Sequence, residues 1–266
     1  MDENAAEFVG EIPHFYDTGL GPVIFSHYAT VMGARAAALA PHDVLETAAG
    51  TGIVSAELRE QLPEAALVIT DLNGPMLEIA RSRLDGTALV ETADAQSLQY
   101  ADESFDVVVC QFGLMFLPDL KAGFREAARV LRPGGTFLFS VWDSHAHNPF
   151  AALADGVLSA TFAEKPPPFY RVPFSMSAVD PLRELAQAAG FGAITIEVLP
   201  HATPVASWED FAAGLVRGNP VVDQIRARGA DPLDVEATVR SLLEQEFGPV
   251  PTTMPIQTVL YAATLA

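Results

Sequence analysis

The sequence predicts a doubly wound α/β fold built on a largely parallel sheet. Three observations predict it. Between about residues 43 and 142, short apolar runs alternate with stretches of helical periodicity. Most of the runs end in a small-residue or acidic turn. One of them, Val107-Val108-Val109-Cys110, is apolar at successive positions, as in a strand covered on both faces.

The elements follow in order. The first forty residues are rich in aromatics (Phe8, Phe15, Tyr16, Phe25, Tyr28) and read as helical pieces interrupted around Gly19-Leu20-Gly21-Pro22. Val44-Leu45 opens a short strand ending at Glu46, and Thr47-Ala48-Ala49-Gly50-Thr51-Gly52 forms a small-residue turn. Residues 53–62 read as a helix stopped by Pro63, and residues 66–70 as a second strand ending at Asp71. Asn73-Gly74-Pro75 starts the next helix, with proline in the first turn, where its missing N–H costs nothing. Leu89-Val90 marks a third strand leading to Asp94, and Phe105 to Cys110 a fourth. Asp119 caps a helix running to Leu131, Arg132-Pro133-Gly134-Gly135 ends it, and Thr136 to Trp142 is a fifth strand. Beyond Trp142, residues 149–162 read as helical. Asp180-Pro181 reads as a cap and first-turn proline, residues 194–199 as a sixth strand, residues 208–247 as helical and residues 256–265 as a last strand.

Composition bounds the partners. The chain carries 34 acidic against 15 basic residues, a net charge of −19, with no visible basic cluster. Such a surface repels phosphate backbones and anionic lipid, which disfavours nucleic acid and membrane surfaces. The single cysteine, Cys110, excludes an internal disulfide and a multi-cysteine zinc site. Met1-Asp2-Glu3-Asn4 does not resemble a secretory leader, and no apolar stretch is long enough to span a bilayer, so the cytoplasm is the expected location.

The central constellation is the turn after the first strand. Small residues let a ligand approach the backbone, and the following helix presents unpaired N–H groups and a positive dipole end. Asp71 ends the next strand, where a carboxylate can accept both hydroxyls of a ribose. Asp94 follows the third strand, where an adenine amino group would need an acceptor. One acid per successive strand end fits a nucleoside lying across the edge where open α/β sheets bind ligands. A dinucleotide fingerprint fits less well, because Ala48 or Ala49 and Ser55 stand where it wants glycine.

This set resembles the class I S-adenosylmethionine-dependent methyltransferases, in their small-molecule, ubiquinone and menaquinone methyltransferase-like branch. The likeness lies in residues 44–52, 70–76, 93–95, 104–109, 111–117 and 124–135, with Arg129-Val130-Leu131-Arg132-Pro133-Gly134-Gly135 the most specific part. It implies a Rossmann-like sheet, mostly parallel with an antiparallel last strand. The core would span residues 41–200, with an N-terminal helical lid or wrap at 1–40, a helical insertion at 201–252 and a final core strand at 253–266. It implies S-adenosyl-L-methionine as cofactor and S-adenosyl-L-homocysteine as product. By the same likeness Glu46, Ala48 and Gly50 line the methionine part, and Ala49 and Thr51 of the same turn are further cofactor-binding residues. Asp71 holds the ribose, Leu72 and Met76 flank the adenine, and Asp94 takes its amino group. Ala93 stands beside Asp94, Ala95 donates a backbone N–H, and Gln111 and Phe112 sit beside the cofactor. The family often has glycine where Ala48 stands.

Methyl transfer from a sulfonium needs position and water exclusion, and a base only when the acceptor must lose a proton. His147, then His145, in the loop after the fifth strand are the candidate bases; the competing reading of each is a solvated loop histidine. No metal is expected, since the His-x-His pair has no third ligand at fixed spacing. Tyr16, Phe25 and Tyr28, with Phe15, are candidate lid residues, and Phe116, Trp142 and Phe150 candidate walls of an acceptor pocket; simple packing is the alternative. The expected partner is a small-molecule acceptor whose reacting atom, O, N or C, stays open, on a monomer or homodimer. Two other functions compete: a protein of this fold that binds the cofactor without methyl transfer, and a nicotinamide-dependent oxidoreductase.

Overall fold

The computed structural model describes residues 6–266; the first five, with the start Met1-Asp2-Glu3-Asn4, lie outside the described residues. Seven strands form one sheet: β1 (Asp43–Glu46), β2 (Ala66–Asp71), β3 (Leu89–Thr92), β4 (Phe105–Gln111), β5 (Leu131–Trp142), β6 (Phe191–Val205) and β7 (Thr252–Leu265). Their spatial order is β3-β2-β1-β4-β5-β7-β6. The first five pair in parallel, and β7 runs antiparallel between β5 and β6. This is the Rossmann-like sheet the sequence predicts, mostly parallel with its last strand, β7, antiparallel to both neighbours.

The helices are α1 (Ile12–Phe15), α2 (Ser26–Ala37), α3 (Ile53–Gln61), α4 (Gly74–Leu84), α5 (Leu120–Val130), α6 (Pro149–Thr161), α7 (Val179–Ala188), α8 (Trp208–Arg217), α9 (Val221–Arg226) and α10 (Pro232–Phe247). Strand alternation splits the interior into two layers. Val44, Val107, Val109, Leu138 and Leu260 point to the face covered by α2 and α3, with Met32 and Leu58. Leu45, Val108, Phe137, Phe139 and Tyr261 point to the opposite face, toward Phe124 of α5. The α5 helix shows why the sequence folds this way: Asp119 caps it by accepting from Ala122 N–H at 3.0 Å, and Gly123, Phe124, Ala127 and Val130 form its buried stripe.

Several elements depart from the sequence reading. Instead of an interruption at Gly19-Leu20-Gly21-Pro22, a ten-residue π-helix, Tyr16–Phe25, joins α1 to α2. The glycines serve close packing: a Cβ on Gly19 would lie 2.3 Å from the carbonyl oxygen of Asp210 in α8. Arg132-Pro133-Gly134-Gly135 bulges out of β5, between the pairings Phe105↔Leu131 and Val107↔Thr136. Arg132 holds that bulge at the amino ends of the strands through Asp106 at 2.6 Å and Asp43 at 2.9 Å, so the most family-specific segment serves the sheet. Ala178, not Asp180, is the cap of α7; Asp180 lies in the first turn and pairs with Arg183 at 2.8 Å. The sixth strand continues to Val205 through Pro200 and Pro204, which an edge strand tolerates. Its partner β7 starts at Thr252, so the helical stretch between them begins after Val205.

Candidate cofactor groove and acceptor chamber

The carboxyl ends of β1, β2, β4 and β5 open into a cleft of about 1140 Å³. It has two parts, a polar groove across the strand tips and an aromatic chamber beyond it.

The groove is built on the turn after β1. Thr47 N–H donates to Val109 O and Ala49 N–H to Thr70 O, both at 2.9 Å, which ties the turn to both neighbouring strands. Ala48 and Gly50 adopt left-handed φ of 53° and 57°, a conformation glycine takes most readily. Gly50 N–H donates to Asp71 Oδ2 at 2.8 Å, and Asn73 N–H donates to Asp71 Oδ1 at 2.8 Å. Asp71 is 7% exposed; burial pushes its carboxyl up, against the hydrogen bonds from Asn73, Gly50 and Leu72. Asp94 lies farther along the groove and accepts from Gln96 N–H at 2.8 Å. Leu72 is exposed beside Asp71, Met76 is buried beneath Gly50, and Ala93 and Ala95 complete that wall. Gln111 Oε1 is buried without a hydrogen-bond partner, an orphaned acceptor at the tip of β4.

The chamber is roofed by aromatic rings. Phe112, at a left-handed φ of 54°, stacks on Trp142 with centroids 4.0 Å apart and planes 1° apart. Phe25 touches both rings, and Tyr16 stacks on Phe25 at 4.8 Å. Phe116 meets Phe8, and Phe8 meets Tyr16, both edge-on. Phe150 and Phe174 continue the wall beyond Trp142, with Leu215 and Asn219 on the far side. The Tyr170 hydroxyl is committed to Leu215 O at 2.7 Å, and burial pushes its pKa up, so it stays a donor.

Fifteen of the sequence-predicted residues thus line the cleft: ten of the cofactor set, with Tyr16, Phe25, Phe116, Trp142 and Phe150 of the lid and acceptor set. Six do not. Glu46 is buried under the turn, where Ser55 Oγ donates to it at 2.5 Å. Burial, opposed by that hydrogen bond and reinforced by the Asp71 charge, pushes its carboxyl up to about 8. Ala49 packs into the layer beneath α2 and α3, and Thr51 is buried with its carbonyl bound by Arg83. Tyr28 is 2% exposed and spans the interior to donate to Leu199 O at 2.9 Å. His147 and His145 both lie off the lining because Asn148 folds their loop back, donating to Asp143 O and Gln257 O at 3.0 Å. His147 is half-exposed, 3.5 Å from Asp143, and the His145 ring packs on Phe174 with Nε2 3.3 Å from Tyr170 O. Phe15, off the lining too, packs under the Arg217 guanidinium at 3.9 Å.

Of the residues that sequence reasoning missed, four stand out. Phe8 N–H donates to Asn73 Oδ1 at 3.1 Å, fastening the N-terminal segment across the groove. Gly113 leaves room for Ala48: a Cβ there would lie 2.4 Å from the Ala48 methyl. Phe174 comes from an irregular stretch with no periodic signal, and Asn219 from the break between α8 and α9, inside a run that reads as one helical stretch.

Comparison with known proteins agrees with this geometry. Residues 45–139 match a family model described as a methyltransferase domain. A demethylmenaquinone methyltransferase of Deinococcus radiodurans is 37% identical over 123 residues, 45% of this chain and 51% of that protein. A malonyl-[acyl-carrier protein] O-methyltransferase of Hahella chejuensis is 39% identical over 101 residues, 38% of this chain and 36% of that protein. The matches thus span about half or less of these curated relatives. The crystal structure of a SAM-dependent methyltransferase from Thermotoga maritima superposes with a TM-score of 0.56 at 17% identity, covering 100% of both chains, and so shares the fold.

Proposed function

We propose, from the premise that residues 45–139 are a class I methyltransferase domain, that the protein moves a methyl group from S-adenosylmethionine to a small, largely apolar acceptor. The observation that carries this reading is one continuous cleft. Its polar end holds Asp71, Asp94 and Gln111 at neighbouring strand tips, and its other end is walled by Trp142, Phe150 and Phe174. The groove suits the cofactor chemically. Asp71 offers the ribose hydroxyls a carboxylate already aligned by Gly50 and Asn73. Asp94 and Ala95 would take the adenine edge, with Leu72 and Met76 against its faces, and the orphaned Gln111 Oε1 suits a cationic amino group. When bound, the cofactor supplies an activated methyl on a sulfonium that is its own leaving group.

The chain's own residues orient the acceptor and exclude water. Phe8, Tyr16 and Phe25 cover the groove, so residues 6–25 act as a lid, with α8 as its support. No histidine, lysine or glutamate lines the cleft among the described residues. That favours an acceptor whose nucleophilic atom is already free of its proton at neutral pH. The strongly acidic chain fits action on small molecules in the cytoplasm rather than on nucleic acid.

Titration calorimetry with S-adenosylhomocysteine and NADH, then methyl transfer to a panel of apolar phenols, amines and carboxylic acids followed by mass, tests the proposal. S-adenosylhomocysteine binding with a gain of one methyl on at least one acceptor is expected. Binding of NADH in its place would overturn it.

A further inference from the structure

Beside the cleft lies a second cavity of about 1310 Å³ that the methyl-transfer reading does not use. Met115, Leu117, Pro118 and Phe169 line both spaces, so the two share a wall. The wall is deformable at Met115, whose thioether chain repacks at low cost. Val172, Met176 and Leu185 make the rest of the interior apolar.

Two polar features stand out in this lining. Gln224 is 7% exposed, and neither its amide oxygen nor its amide nitrogen has a hydrogen-bond partner. A buried amide left so loses its hydration without compensation, which a ligand with matching polar atoms would restore. Lys121 and Arg171 stand exposed at the rim. Neither forms an ion pair among the described residues, although the chain has 34 acidic residues to offer. The one acid on the same lining, Asp119, is engaged as the cap of α5 and lies 4.0 Å from Arg125. An apolar interior, a partnerless amide and two free cations describe a site for an amphiphilic anion.

We propose that this second cavity seats the anionic end, a carboxylate or a phosphate, of an elongated apolar ligand whose body reaches past Met115 into the chamber, and that this ligand is the methyl acceptor. Only the name acceptor rests on the methyl-transfer reading; the site itself does not. Lys121 and Arg171 hold the charge, Gln224 binds a polar group behind it, and Met115 and Leu117 give way to the chain.

The test is titration calorimetry of the whole chain, below micelle-forming concentrations, with dodecanoate, dodecyl phosphate and dodecanol, with and without S-adenosylhomocysteine. Both anions, or one of them, should bind at least about tenfold tighter than dodecanol. The double variant Lys121→Gln/Arg171→Gln should bring the preferred anion to within about twofold of dodecanol while leaving S-adenosylhomocysteine affinity unchanged. Preference for dodecyl phosphate assigns a phosphate headgroup, and preference for dodecanoate a carboxylate. Val172→Trp, which fills the second cavity, should weaken the anion and spare the cofactor product. A crystal with the anion bound should show its head between Lys121 and Arg171 and its chain past Met115. Equal binding of anions and alcohol, or discrimination that survives the double variant, would overturn the site. Anion discrimination without S-adenosylhomocysteine binding would instead sink the methyl-transfer reading and leave the site standing.

Discussion

Asp71 is the residue on which the groove turns. Its two oxygens each take a backbone N–H, one from Gly50 and one from Asn73, so it shapes the turn and presents charge at once. Asp71→Asn replaces an acceptor by a donor facing one of those N–H groups. S-adenosylhomocysteine binding should weaken by about 1–3 kcal/mol in calorimetry; unchanged affinity would remove Asp71 from the site. Glu46 makes a different prediction. Its folded pKa, about 8, stands above the ordinary 4.5, so the folded state favours the proton. Its contribution is full below the ordinary value and is lost as pH rises through about 8. Glu46→Gln keeps the shape and removes the titration. Denaturant unfolding should find it more stable than the wild type by on the order of 5 kcal/mol near pH 9, and by less than about 1 kcal/mol near pH 5. Asp71 shifts in the same direction, so a smaller slope should remain in the variant. From the sequence, position identified both acids but not their orientation. A carboxylate at a strand end reads alike whether it faces a groove or, as Glu46 does, a serine beneath the turn.

At the scale of elements, the junction between the π-helix and α8 decides how the groove is covered. Gly19 and Gly214 bring the two backbones together; a Cβ on Gly214 would lie 2.9 Å from Gly19 C and Leu20 N. Gly218 lies one turn on, where a Cβ would meet Tyr16 N at 2.7 Å. Gly214→Ala should therefore cost about 1–3 kcal/mol in chemical unfolding and speed S-adenosylhomocysteine release. Gly156→Ala is the control: it lies exposed in α6 with nothing within 4 Å of the new methyl, and should stabilise by roughly 0.5–1 kcal/mol. The strands β1 to β5 were legible because apolar runs and turn residues are adjacent in sequence. The π-helix was not, because Gly19 and Gly21 with Pro22 read locally as a break, while the reason for Gly19 sits nearly two hundred residues away in α8. The His147 loop failed for a similar reason, since Asn148 bonds to Gln257 across the sheet.

Over the whole molecule, charge and topology set the behaviour. With a net charge of −19, the protein should show no measurable affinity for duplex DNA in fluorescence anisotropy at roughly 0.15 M salt, where binding would need several phosphate-neutralising cations. The cleft draws its floor from β1, β2, β4 and β5 and its cover from residues 6–25 and α8, so distant parts of the chain meet over one edge. The placing of β7 between β5 and β6 has a temporal corollary. A chain emerging from the ribosome completes its five parallel strands early, yet β6 has no neighbour to zip onto until residues 252–265 exist. Until then β5 presents a bare flank and β6 hangs without a ladder, both open to wrong pairing. Cutting the chain before residue 252 would therefore leave a gap inside the sheet rather than a frayed end, and should yield aggregated material instead of a shortened folded protein.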